Sequence, residues 1–164
     1  MAFPLDNTYP IGFIYNIKLA NSSVYLSAMD IGIVRYSKYG QNPQKIGSLG
    51  RGPGEYTYCL SFAIDEKNEN VYVMDKGNVV KVYSKNGSFL RNIRLNDFVT
   101  DFEKIEYFDS KLFITAYSLG QERYDWIVLD TIGNLLRTKV NPIPLFITNS
   151  GAWEGTYKFG NKIY

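Results

Sequence analysis

Three stretches of the chain line up on a period of 46 or 47 residues, and this period constrains the fold more than any single motif. The first is "VYLSAMDIGIVRYSKYGQ" from Val24, and the second is "VYVMDKGNVVKVYSKNGS" from Val71. Val71 lies 47 residues after Val24, and Gly87 lies 47 residues after Gly40. A looser third copy, "KLFITAYSLGQERYDWIVLDTIGN" from Lys111, places Gly133 46 residues after Gly87. A fourth opens with "GTYKFGNKIY" at Gly155. Self-similarity at such a period is the mark of a repeat architecture.

Each copy alternates short apolar runs with turns. In the second copy "SFAID", "VYVMD", "VVKVYS" and "SFLRNIRL" are separated by "EKNEN", "KGN" and "KNG". The runs are rich in Val, Ile, Tyr and Phe, bounded by Asn, Asp, Gly or Lys, and show no helical periodicity. The chain is 16% aromatic, which suits a pleated and half-buried surface. The turn before each fourth strand reads "SKYG", "SKNG" and "DTIG". Asn86-Gly87 alone suggests a type I′ hairpin, but Tyr39 and Ile132 stand where Asn86 does. A β-branched Ile resists positive φ, so a type I turn closed by a left-handed Gly fits all three copies. Four antiparallel strands recurring at this spacing predict an all-β fold of β-propeller blades. The chain, residues 1–164, is read as one partial propeller domain of about three and a half blades, with repeats near 14–50, 57–97, 102–140 and 153–164. A longer propeller is favoured over two chains closing one ring.

Composition excludes several chemistries. The chain has no histidine, which removes the commonest general base and metal ligand. Its single cysteine, Cys59, sits in the apolar run "YCLSFAI" and is expected to be a buried small hydrophobe. A net charge of +2 without a basic run argues against nucleic acid. No apolar run is long enough to span a bilayer, and the start "MAFPLDNTYP" lacks the features of a signal peptide.

The stretch "KIGSLGRGPGEY", Lys45 to Tyr56, invites a phosphate-loop reading. That reading fails, because no lysine follows Gly52 as a P-loop requires, and the glycines at 50, 52 and 54 lie between strands. The loop joins one blade's fourth strand to the next blade's first, a crossing that needs tight turns and close backbone approach. Asp65, Asn68 and Asn70 in "DEKNEN" have the look of calcium ligands, but lack the pattern of an EF-hand and are expected to form a hairpin turn.

With "FAID", "VYVMD" and "VVKVYSKNGSFLRNI" behind it, the glycine stretch resembles that of the six-bladed β-propellers related to NHL-repeat and TolB-like proteins, over roughly Ile14 to Val140. The resemblance implies a bacterial protein of the periplasm or cell surface. It also raises the alternative of a metal-dependent propeller enzyme, lactonase- or lyase-like, completed by further blades.

In an up-and-down blade the crossings and the second-to-third-strand turns share one face. That face would collect Arg51, Glu55 and Tyr56, then Asp30, then Asp75, Lys76 and Asn78, then Gln121, Glu122 and Arg123, then Trp153 and Glu154. These residues form the candidate ligand-binding face for a protein, peptide or glycan. No catalytic residue, metal site or cofactor is assigned. A non-enzymatic binding module is favoured, with self-association through open blade edges as a further expectation.

Overall fold

The computed structural model describes residues 5–59, 61–95, 98, 102–116 and 123–140, together with two short strands at 158–159 and 162–163. Twelve of the strands form three four-stranded sheets. The first blade is β1 (Ile14–Ala20), β2 (Ser23–Ala28), β3 (Gly32–Ser37) and β4 (Gln44–Ile46). The second is β5 (Phe62–Asp65), β6 (Asn70–Asp75), β7 (Val79–Tyr83) and β8 (Phe89–Arg94). The third is β9 (Phe102–Phe108), β10 (Lys111–Ala116), β11 (Tyr124–Asp130) and β12 (Leu135–Val140). Every sheet is an antiparallel meander in sequence order, and β13 (Lys158–Phe159) pairs with β14 (Lys162–Ile163). The fold is all-β, and no helix occurs among the described residues.

The third hairpin of each blade closes as the glycine pattern demands. Gly40, Gly87 and Gly133 have φ of 77°, 80° and 106°. Each donates its N–H to the carbonyl three residues back, at 2.9, 2.9 and 3.2 Å. Tyr39, Asn86 and Ile132 are absent from the residues with positive φ, so a type I turn ending in a glycine bulge is observed in all three blades.

The blades stack face to face. Ala20, Tyr25, Ile33 and Ile46 of the first meet Phe62, Ile64, Val71, Val73 and Tyr83 of the second, with Tyr56 and Cys59 of the crossing enclosed between them. The second blade's other face, with Ala63, Tyr72, Val80 and Val82, meets Ile105, Leu112, Ile114, Ile127 and Leu129 of the third. Polar bonds fix the stacking. Gly47 N–H reaches Gly87 O at 3.1 Å, Gln44 Nε2 reaches Asn86 O at 2.8 Å, and Ile105 N–H reaches Ser61 Oγ at 3.0 Å.

The 47-residue offset also shows what covers the first blade's outward face. Ile17, Val24, Leu26 and Tyr36 there are the counterparts of Ile64, Val71, Val73 and Tyr83. Leu5, Tyr9 and Ile11 pack over Leu26, Val34 and Tyr36, and Asp6 N–H bonds Gly40 O at 2.9 Å. Ile17 is 57% exposed, whereas Ile64 is 7% exposed.

The turn glycines serve a second purpose. A Cβ on Gly87 would stand 2.2 Å from Lys45 O in the preceding blade, whereas one on Gly77, whose φ is 84°, would meet nothing within 4 Å. Gly77→Ala therefore carries only the left-handed backbone penalty, about 1–2 kcal/mol. Gly87→Ala adds the separation of two blades, and its expected loss is at least about twice as large. Urea midpoints of the two variants check this, and equal losses would show that the blade contact yields freely.

Candidate functional site

The glycine loop is a clasp between the first two blades. Glu55 folds back over it, its Oε2 accepting the Gly52 N–H at 2.8 Å. A Cβ on Gly50 would sit 1.9 Å from that same oxygen, so the carboxylate occupies the space a side chain would fill. Gly54 turns with φ 77° against the Phe89 ring, and its carbonyl accepts the Tyr83 hydroxyl at 2.8 Å. Tyr56 points inward rather than to the face. Its hydroxyl donates to Ile46 O at 3.0 Å and accepts the Ile33 N–H at 2.8 Å.

This corrects the expectation for Tyr56, which is 0% exposed and cannot reach a ligand. The hydroxyl satisfies two backbone groups of the first blade, and the ring meets Tyr83 edge-on at 5.8 Å. Burial pushes the phenol pKa well above its ordinary value, so it remains a neutral donor.

Asp75 ties the clasp to the β6–β7 turn. Its Oδ1 accepts the Thr57 N–H at 2.8 Å, the Thr57 hydroxyl at 2.7 Å and the Lys76 N–H at 2.9 Å. Its Oδ2 faces Lys81 Nζ at 3.1 Å, and Lys81 also donates to Glu55 O. Burial raises the Asp75 pKa, but the bonds from Thr57, Lys81 and Lys76 together outweigh it and hold the carboxyl below its ordinary value.

Beside this clasp lies an open depression of about 540 Å³, lined by Gly50, Arg51, Thr57, Asp75, Lys76 and Gly77. Arg51, Thr57, Lys76 and Gly77 are exposed. Lys76 Nζ stands over the Tyr58 ring at 5.7 Å. Tyr58 meets Tyr15 edge-on at 5.8 Å, and Tyr15 meets Phe13 at 5.4 Å. Asp30, in the β2–β3 turn, lies next to Gly12 on the same side of the first blade.

Of the candidate residues, Arg51, Asp75 and Lys76 are brought together around the depression, with Glu55 engaged in the loop behind them. Asn78 closes the β6–β7 turn with φ 58°, and its carbonyl accepts the Leu95 N–H at 2.8 Å. Arg123 stands at the start of β11 over the Tyr124 ring, at 5.1 Å. Gln121, Glu122, Trp153 and Glu154 lie outside the described residues. Thr57, Tyr58 and Tyr15 were not among the candidates. Thr57 and Tyr58 adjoin Tyr56 in sequence, and Tyr15 precedes Phe62 by the repeat's own 47 residues.

A family model described as a six-bladed β-propeller matches residues 6–164. The chain belongs to that family. Among solved structures this propeller is similar to a candidate exported protein of Bacteroides fragilis, with 20% identity and a TM-score of 0.62 over 98% of this chain and 47% of the other. It is also similar to the RRP9 WD40 repeats, at 15% identity and a TM-score of 0.60 over 77% of this chain and 38% of that one. A chain of the nidogen/laminin complex matches at 12% identity and a TM-score of 0.53, over 73% and 43%. The propeller therefore spans less than half the length of each. No curated protein matches the sequence.

Other polar groups of the propeller have structural duties. Asp65 Oδ1 accepts the N–H groups of Lys67 and Asn68, at 3.0 and 3.2 Å, so "DEKNEN" is a capped hairpin turn. Cys59 is a free thiol whose pKa burial pushes up to about 12, which leaves it protonated and unreactive at neutral pH. Lys18 of β1 reaches across the Phe62 ring to pair with Glu106 of β9, which also pairs with Lys104 at 2.9 Å. Among the described residues no three His, Cys, Asp or Glu side chains gather closely enough to hold a metal ion. No helix among them is long and apolar enough to cross a membrane.

Because the Asp75 carboxyl titrates lower in the folded chain, its stabilisation is present above the unfolded value, about pH 4, and fades as pH falls through the folded one. Its side chain is only 4% exposed, so Asp75→Asn leaves Lys81 without its partner and is expected to lose about 3 kcal/mol near neutral pH. Thermal melts from pH 7 down to pH 3 should show the gap to wild type closing. A gap that stays constant across that range would remove Asp75 from this role.

Proposed function

We propose that the protein is a non-enzymatic binding module that presents the face around Arg51, Lys76 and Tyr58 to a protein partner. The observation that carries this reading is the depression itself. Two connectors meet there, the glycine loop and the β6–β7 turn, and Tyr15 of β1 flanks them through Tyr58. Their backbones are pinned by Asp75 and Glu55, while the side chains of Arg51 and Lys76 are exposed. A rigid scaffold with polar and aromatic side chains on adjoining loops is the arrangement by which loops carry recognition. The likeness to WD40 repeats supports the same direction at the level of fold.

The test is site-specific photo-crosslinking in the native cell. A photoreactive residue at position 76 is expected to capture a protein that the same residue at position 38, on the β3–β4 turn of the opposite face, does not. Equal capture at both positions, or none at 76, would count against the reading.

Kinship with NHL-repeat and TolB-like propellers belongs to the same proposal, supported by the stretch "GRGPGEY". So does a place in the periplasm or at the cell surface, in keeping with the name of the Bacteroides fragilis protein, which calls that protein exported. Fractionation of cells expressing the full gene checks it: the protein should leave the cytoplasmic fraction, and retention there would refute it.

A further inference from the structure

We propose that the depression beside the glycine loop receives an acidic segment of a polypeptide, whose carboxylates are held by Arg51 and Lys76. This rests on the binding-module reading and specifies the chemistry of its partner.

The first argument is charge. The ion pairs among the described residues engage Lys18, Lys81, Lys85, Lys104, Lys111 and Lys139, and neither Arg51 nor Lys76 belongs to one. The acids of the same wall are already committed. Asp75 spends Oδ1 on Thr57 and Lys76 N–H and Oδ2 on Lys81, and Glu55 spends Oε2 on Gly52 N–H. Two exposed cations thus border a depression whose one lining acid, Asp75, is already paired with Lys81. Asp30 is the remaining acid nearby, and it sits beside Gly12 on the first blade rather than on the depression's lining. A guanidinium offers a carboxylate two parallel N–H donors, and an ammonium adds a compact charge.

The second argument separates a polypeptide from an acidic polysaccharide. The rim leading away from the depression is aromatic, but its rings meet edge to face, at 69° for Tyr15–Tyr58 and 70° for Phe13–Tyr15. One face of Tyr58 is taken by Lys76. Sugar stacking wants an open, flat ring face, and Tyr58, the ring beside the depression, has at most one to give. Apolar side chains fit the angled clefts between such rings, and Phe13 is 68% exposed to receive them. A segment that alternates carboxylates with apolar side chains matches both halves of the surface.

The probes are poly-L-glutamate, polygalacturonate and neutral dextran, titrated into the full chain by calorimetry at low and high salt. Poly-L-glutamate is expected to bind, to weaken with salt, and to lose about tenfold in affinity in the double variant Arg51→Glu, Lys76→Glu. The double variant Lys38→Glu, Lys67→Glu carries the same charge change on the opposite face and should stay within about twofold of wild type. Circular dichroism melts confirm that each variant folds, and Arg51→Gln, Lys76→Gln replaces the first pair should it not.

Equal weakening by both double variants would overturn the proposal, since only net charge would then matter. Binding of polygalacturonate without poly-L-glutamate, or of neither, would overturn it as well. A partner captured through position 76 whose crosslinked segment is not acidic would refute this assignment and leave the binding reading intact. Absence of any captured partner would tell against that reading instead.

Discussion

A four-stranded sheet that is apolar on both faces cannot bury either of them by itself, and everything else in this protein answers that constraint. The second blade shows the solution in full: Phe62, Val71, Val73 and Tyr83 turn to the first blade, and Tyr72, Val80 and Val82 to the third. Burying one such side chain is worth about 1.5–3 kcal/mol, against about 1 kcal/mol net for a typical hydrogen bond. The apolar faces therefore supply the driving force, and the polar bonds between blades choose the register. Tyr56 does both. Its ring fills the seam, and its hydroxyl satisfies one donor and one acceptor on the first blade.

Much of this was legible because it depends on short-range geometry and on counting. The period of 46 or 47 needs only alignment, and the runs it marks in the second blade coincide with the observed strands to within one residue at each end. The glycines of "SKYG", "SKNG" and "DTIG" could be placed in left-handed turns because Ile132 excludes the competing turn type. Asp65 could be taken out of the metal-ligand pool because its spacing matched a turn and not a calcium loop.

The direction of individual side chains in the glycine loop was not legible, and the reason is tertiary. A turn residue is assigned to the surface by default, but Tyr56 enters the seam because Gly32 leaves room for it: a Cβ there would meet the Tyr56 hydroxyl at 2.2 Å. Those two residues are 24 positions apart and belong to different elements, so no local pattern links them. Glu55 is a similar case, since its carboxylate lies where side chains at 50 and 52 would otherwise compete. The aromatic rim of Phe13, Tyr15 and Tyr58 escaped for a third reason. Its members come from β1, the residue before it and the glycine loop, and the repeat marks Tyr15 only as a counterpart of the buried Phe62.

What remains at the face follows from what the clasp consumes. Holding two blades together across a glycine-rich crossing requires acceptors for the loop's amides, and Asp75 and Glu55 are spent on that task. Asp75 is paired with Lys81, and neither Arg51 nor Lys76 belongs to an ion pair among the described residues. The same bonds fix the backbone at 51 and 76, since Arg51 lies between two glycines that the Glu55 carboxylate packs against and Lys76 follows Asp75 directly. Binding then orders two side chains and no loop, which keeps its entropic cost small. Structural duty and surface chemistry are in this sense one feature: the residues that secure the crossing also determine which charges are left to meet a partner.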